Sequence, residues 1–343
     1  MSKIIEIDGS LGEGGGQVLR TSLALSLITS KPFHLRKIRA GRAKPGLAAQ
    51  HLMSVKAAAE IGKAKLRGSS LGSCDLVFEP GKVSTGDYHF PIGTAGATSL
   101  VLQTIYLPLA LAGCESNVTI EGGTHVKASP CFHFLQRSWC RYLQALGLML
   151  DLTLDRVGFY PRGGGKIHAR IQPAACVRPF HGLTTPTITQ ATIFCGTAGL
   201  PPHVGDRLME QATLRMNELG LQVHEHRESW NGGPGCMLGI ELPTEPAPTF
   251  LFSLGEKGKP AEAVANDAVA HVAVFLQAQP LGIDEHSADQ LLLPLALAAD
   301  SSSFRVSAIS SHLLTNAAVI QQFLERDIRF TGVEGEAGVV TIG

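Results

Sequence analysis

Residues 5–20 read IEIDGSLGEGGGQVLR: a short apolar strand, an acidic glycine loop, and the start of a helix carrying Arg20. Glycine lets the backbone approach a ligand closely and adopt positive φ at little steric cost. A helix beginning near Gly16–Gln17 aims free N–H groups and the positive end of its dipole at an anion. The stretch therefore predicts a βα unit that handles phosphate, but it is neither of the two common nucleotide loops. Walker A needs GxxxxGK[ST], which is absent, and the dinucleotide fingerprint GxGxxG needs a glycine where Gln17 stands. The acidic ribose-binding residue expected about twenty positions further on is also missing. Its place is taken by a basic stretch: Lys31 to Lys56 holds no acidic residue but contains Arg36, Lys37, Arg39, Arg42 and Lys44.

The same strand, glycine loop, helix and strand order recurs along the chain with weak identity between copies. The first copy spans Ile4–Ile38 and the second Tyr88–Ile120, which contains the loop IGTAGATS. A third covers Pro130–Ile171, with strands expected around RVGFY and GKIHARI, and a fourth covers Ala288–Ile342. Internal repetition of α/β units is itself a fold-level signal. Between them, 186–279 reads as a separate insert of strands, an amphipathic helix over Val204–Leu219 and a helix over Ala261–Gln277. The expected architecture is α+β: a large domain formed by 1–185 and 280–343, and a smaller α/β domain at 186–279.

Composition narrows the function classes. Of 343 residues 44% are apolar and only 17% charged, which describes a well-buried globular chain. Lys+Arg and Asp+Glu both number 29, so a nucleic-acid partner must be held by a local patch, not by a global field. Seven cysteines without a CxxC pair argue against a disulfide framework or zinc ribbon and favour a reducing, cytoplasmic location. No signal-peptide pattern opens the sequence. Leu100–Ala112 and Leu291–Ala299 fall short of the ~20 apolar residues of a membrane span and are interrupted by Gln103, Pro108 and Pro294. They are expected to be buried helices.

Several side chains carry chemistry. Glu13 lies among glycines, where a carboxylate beside a phosphate loop suits Mg²⁺; the alternative is a solvated loop glutamate. Arg20, Arg39, Arg42 and Lys44 form the basic patch, with Arg39 and Arg42 at a strand end and turn where guanidinium forks reach phosphate oxygens. Gln50 and His51 follow on a helix, where an isolated histidine reads as a surface residue. His312 opens an apolar helix behind Ser310 or Ser311 as cap, and by itself reads as a capping or core histidine. Neutral imidazole is nucleophilic, however, and can form a covalent intermediate. His224 and His226 alternate on a strand without a third metal ligand nearby, and Gly163–Gly165 reads as a hairpin turn.

GEGGGQVLR, IRAGRAKPGL with QHL, GGT at 122–124, GFYPRGGG at 158–165, ADQLLLPLALA at 288–298 and SSHLLTN at 310–316 together resemble the RNA 3′-terminal phosphate cyclase family, in order and spacing nearly end to end. The resemblance implies a large domain of repeated βαβαββ units, like those of enolpyruvyl transferases, with a smaller inserted α/β domain. It implies a reaction in which a histidine attacks the α-phosphorus of ATP and AMP passes to an RNA 3′-phosphate. The neighbouring 2′-hydroxyl then closes a 2′,3′-cyclic phosphate. His312 matches the adenylated nucleophile and Glu13 a metal-associated acid, with ATP and Mg²⁺ or Mn²⁺ as cofactors. Arg20, Arg39, Arg42, Gln50 and His51 match the motifs that face the triphosphate or RNA end. Gln103, Pro130, Asp289 and Gln290 match the nucleotide pocket, and His286 stands where the family often has an adenine-stacking tyrosine. RNA with a 3′-phosphate is the implied partner, without a membrane, and no oligomeric state is set. The competing readings are a non-catalytic cyclase-like RNA-binding factor in ribosomal RNA maturation, an enolpyruvyl transferase and a plain RNA-binding module. His312 and Glu13 together argue against the scaffold.

Overall fold

Alternation of apolar and polar residues sets the first strands. β1 (Ile5–Asp8) and β2 (Phe33–Arg36) bury Ile7, Phe33 and Leu35 and leave Glu6 and Arg36 exposed. The structure, a computed structural model, describes residues 3–182, 187–279 and 281–343. The domain boundaries expected at 185–186 and at 280 lie outside the described residues. β1 and β2 pair in parallel with Ile7 opposite Leu35, so a crossover must join them. α1 (Gln17–Thr29) is that crossover. α2 (Ala49–Gly62), β3 (Lys65–Arg67) and β4 (Asp75–Glu79) follow, giving a sheet of order β1-β2-β4-β3 with the two later pairings antiparallel.

The next segment repeats that order of elements. β5 (Asp87–Pro91), α3 (Thr98–Ala110) and β6 (Ser116–Gly122) lead into α4 (Phe132–Phe134), a π-helical turn (Leu135–Trp139) and α5 (Cys140–Ala145). β7 (Leu150–Arg156) and β8 (Gly165–Ile171) complete a sheet of order β5-β6-β8-β7, parallel only at β5–β6. Tyr88–Ile120 and Pro130–Ile171, read as two units in the sequence, therefore build one sheet. The strand expected around RVGFY is also displaced. β7 ends at Arg156, and Gly158 leaves the ladder because its carbonyl accepts the Thr124 and His125 N–H groups at 2.9 and 3.1 Å.

Residues 187–279 form β9 (Gln190–Ala198), α6 (Pro202–Glu218), β10 (Gln222–Trp230), β11 (Gly235–Leu242), β12 (Thr249–Leu254) and α7 (Ala261–Gln277). Their sheet runs β10-β9-β11-β12 over its own hydrophobic cluster. The chain ends in α8 (Glu285–Leu295), β13 (Ser302–Val306), α9 (Ser311–Phe323), β14 (Ile328–Thr331) and β15 (Gly338–Ile342), with strand order β13-β15-β14 and a parallel bridge from Ile283 to Val306. The fold is mixed α/β. No helix of the described residues is long and apolar enough to cross a membrane.

Two sets of contacts place the site. α3 is buried almost throughout, as a predominantly apolar helix must be, and its core cluster is shared with α1, α8 and α9. Within that core Phe33 stacks on Phe78 at 5.6 Å and meets Phe323 edge-on at 6.2 Å, tying the first sheet to α9. The second set fastens 187–279 to the π-helical turn. Arg137 donates to both Glu241 oxygens at 2.6 and 3.3 Å and lies 3.8 Å over the Phe194 ring. Phe33 has no solvent exposure, so Phe33→Ala is expected to cost about 3–5 kcal/mol, read as a lowered urea midpoint. A loss below about 1 kcal/mol would show that the aromatic trio does not hold α9 to the first sheet.

Candidate active site

α9 starts where the sequence suggested. Ser310 is the cap, its hydroxyl accepting the Leu313 N–H at 3.2 Å, so His312 sits in the first turn. On α1, Gln17 and Thr21 lie one turn apart, and on α9 so do His312 and Asn316. The two pairs meet although 295 residues separate them in sequence. Thr21 Oγ1 donates to Asn316 Oδ1 at 2.5 Å, and Gln17 Nε2 donates to the His312 carbonyl at 3.0 Å. Asn316 Nδ2 donates to Asp289 Oδ1 on α8 at 2.6 Å, as does Gln17 Nε2 at 2.5 Å. A carboxylate only accepts, which turns the Gln17 amide nitrogen toward Asp289 and its oxygen toward His312 Nδ1. The ring is thereby held with a proton on Nδ1 and with Nε2 facing out. Burial raises the Asp289 carboxyl, while the charges of His312 and Arg20 and its hydrogen bonds oppose that rise.

Glu13 stands in front of Nε2. Its Oε1 is 2.9 Å from His312 Nε2 and accepts the Ser311 hydroxyl at 3.0 Å; its Oε2 accepts Arg42 Nη2 at 3.0 Å. The glycine loop permits this closeness. Gly12 has φ +57°, and a Cβ there would fall 1.9 Å from Thr315 Oγ1. A Cβ on Gly16 would fall 2.2 Å from His51 Nε2 and 3.0 Å from Arg20 Nη1. Arg20, His51 and Arg42 thus crowd the loop that starts α1.

His51 departs from its expected surface position, being only 5% exposed. α2 packs against α1 and turns that ring inward against Gly16. Burial first, then the charges of Arg20, Arg39 and Arg42, push its imidazole down to about 3. Burial also lowers the Arg20 guanidinium to about 10, with Asp289 opposing. Both remain in their usual neutral-pH forms: His51 uncharged, Arg20 cationic.

The other expected site residues are less directly placed. Arg39 donates to the Lys44 and Gly46 carbonyls at 3.1 and 2.8 Å and so shapes its own loop. Gln50 accepts the Ala97 N–H at 2.9 Å. Gln103 on α3 keeps a buried, unpartnered Nε2, Pro130 precedes α4, and His286 and Gln290 lie on α8 with the His286 side chain 69% exposed. Asp289 alone of the expected nucleotide-pocket residues joins the hydrogen-bonded cluster. His224 and His226 are on β10, and no group of three or more His, Cys, Asp or Glu among the described residues could hold a metal.

These side chains set the distal nitrogen of a histidine beside a carboxylate and an arginine-lined glycine loop. Comparison with known proteins gives the family. The family model described as RNA 3′-terminal phosphate cyclase matches residues 11–330. The chain belongs to the RNA 3′-terminal phosphate cyclase family. A relative of that name from Salmonella typhimurium strain LT2 is 43% identical over 338 residues, 98% of each chain. Another so named, from Koribacter versatilis strain Ellin345, is 44% identical over 324 residues, 94% of this chain and 90% of its own length.

Within this cyclase-family chain, Gln17, Thr21, Ser311 and Asn316 complete the cluster but were not assigned from sequence. The available signal was polarity on an apolar face: Gln17, Thr21 and Asn316 are each 6% exposed, and buried polar groups require partners. The His51 environment predicts a pH effect. Between about pH 6.5 and 3 the unfolded chain binds a proton there that the folded chain refuses, so stability falls as pH drops through that window. At about 1.4 kcal/mol per unit, a displacement from 6.5 to about 3 bounds the effect at roughly 5 kcal/mol. Urea midpoints measured from pH 7 to 4 should fall more steeply for the wild type than for His51→Asn. Parallel curves would place the acid sensitivity elsewhere.

Proposed function

We propose that this chain is an ATP-dependent RNA 3′-terminal phosphate cyclase working through a covalent histidyl-AMP. The supporting observation is His312 itself, its Nδ1 held by Gln17 and its Nε2 set 2.9 Å from Glu13 at the arginine-lined glycine loop. Gln17 Oε1 holds the ring proton on Nδ1, which leaves the Nε2 lone pair for attack, and Glu13 is placed to accept any proton that Nε2 carries. Nε2 then attacks the α-phosphorus of ATP; a P–N bond forms, the α–β anhydride breaks and pyrophosphate leaves. A 3′-phosphate oxygen of RNA next displaces His312, giving a 3′-to-5′ phosphoanhydride with AMP. Attack of the neighbouring 2′-hydroxyl on the 3′-phosphorus expels AMP, its proton passing to solvent. That last step gains from nucleophile and electrophile sharing one ribose.

Arg20, Arg39 and Arg42 would supply the cationic wall for triphosphate and RNA phosphate, with His51 and Gln50 shaping it. Gln103, Pro130, His286, Asp289 and Gln290 would line the nucleotide pocket, His286 stacking adenine with a smaller face than tyrosine offers. Glu13 is the one hard acidic donor at the loop, which suits Mg²⁺ or Mn²⁺ held jointly with nucleotide phosphates. Such an ion, when bound, neutralises triphosphate charge. The three sheets outside 186–279 read as copies of one βαβαββ unit, the third reduced at its first strand, with 186–279 as an inserted domain. The enzyme would act in the cytoplasm.

Incubation with α-labelled ATP and Mg²⁺, without RNA, tests the reading. Acid-labile, alkali-stable label should remain on the denatured wild-type chain and vanish in His312→Ala. A folded wild type unlabelled with either Mg²⁺ or Mn²⁺ would sink the reading in favour of an RNA-binding role. Arg42→Ala should weaken binding of a 3′-phosphorylated oligoribonucleotide and reduce the salt slope by about one. An unchanged slope would remove Arg42 from phosphate contact.

A further inference from the structure

The loop joining β7 to β8 takes no part in the chemistry above. One side of it is fixed: Gly158 accepts two backbone N–H groups, and Phe159 packs so closely on Gly235 that a Cβ there would fall 2.2 Å from the ring. Its other side is offered to solvent. Tyr160 is 78% exposed, the only aromatic among the exposed large hydrophobic side chains of the described residues. Arg156 and Arg162 are exposed as well, and neither pairs with a carboxylate among the described residues; Arg156 Nε donates to the Gly164 carbonyl at 2.5 Å, which leaves its terminal nitrogens to solvent. The carboxylates nearest in the sheet are engaged elsewhere, Asp155 with His168 at 2.7 Å and Glu121 with His89 and Lys166 at 3.2 and 3.8 Å.

This loop is joined to the glycine loop by a line of close approaches. A Cβ on Gly163 would lie 2.7 Å from Ala95 Cα. A Cβ on Gly96 would lie 3.0 Å from Gln50 Cβ, and the same glutamine binds the Ala97 N–H. The next residue, His51, presses on Gly16. From the other side, 187–279 supports the loop: a Cβ on Gly232 would fall 2.8 Å from Val157 Cγ2, and one on Gly233 would fall 3.8 Å from Arg162 Cδ.

We infer that Tyr160, with Arg156 and Arg162, is a stacking platform for the single-stranded RNA immediately upstream of the 3′-terminal phosphate. The identity of the strand rests on the cyclase reading; the platform rests on the loop. A nucleic acid whose end reaches His312 must leave the site over neighbouring surface. An exposed ring beside guanidinium groups that face no carboxylate provides a base-stacking face and phosphate contacts without reading sequence. It also gives the 187–279 segment a task, that of buttressing the loop.

The test is fluorescence anisotropy of two labelled RNAs, a decanucleotide and a dinucleotide, both 3′-phosphorylated. Tyr160→Ala is expected to weaken decanucleotide binding about tenfold and leave the dinucleotide unchanged, whereas Tyr160→Phe keeps the wild-type preference. Arg162→Ala should lower the salt slope for the decanucleotide alone. Loss of both RNAs in equal measure, or of neither, would overturn the platform. Adenylation by labelled ATP, run in parallel on the wild type, reports separately on the cyclase reading. Tyr160-dependent binding without label keeps the platform and drops the enzyme. Label with Tyr160-independent binding does the reverse.

Discussion

The polar seam between α1 and α9 is the constraint on which the site depends. Gln17, Thr21 and Asn316 are buried, and a buried polar group left unpaired costs about 1–3 kcal/mol. In the observed register each is satisfied by another member of the seam or by Asp289. Sliding α9 by one turn would break these bonds together. The aromatic contacts of Phe33, Phe78 and Phe323 are adhesive but tolerant of small shifts; the seam is not. Apolar burial supplies the stability and the polar ladder supplies the alignment that sets His312 Nε2 on Glu13.

Charge is distributed unevenly around that alignment. Arg20, Arg39 and Arg42 all bear on His51, and Arg42 on Glu13 as well. The imidazole responds by staying uncharged. Crowded cations beside helix N–H groups favour an anion, a common condition of sites shaped for binding rather than for stability.

Local features were legible in the sequence. The β1–loop–α1 unit, a serine cap at 310 or 311 and the α7 limits at Ala261 and Gln277 follow from composition and periodicity; the structure keeps all three and makes Ser310 the cap. Other features depended on distant contacts. β4 and β12 went unread because short continuous apolar runs fit strand and buried helix alike. RVGFY alternates like a strand, but backbone donors from Thr124 and His125 draw Gly158 out of the ladder. His51 reads as a surface residue until α1 is laid across α2. Gln17 reads as the wrong residue for a dinucleotide loop, and its meaning emerges only when His312 is brought to it.

The same separation has a consequence for how the protein is made. Gln17 leaves the ribosome 295 residues before His312. A nascent chain can form the glycine loop while still lacking the histidine that the proposed mechanism requires. The polar cluster is completed in one late event, when α9 docks on a helix synthesised long before. On the proposed mechanism, truncated products of translation would hold no AMP, because the site exists only after its most distant segments have closed on each other.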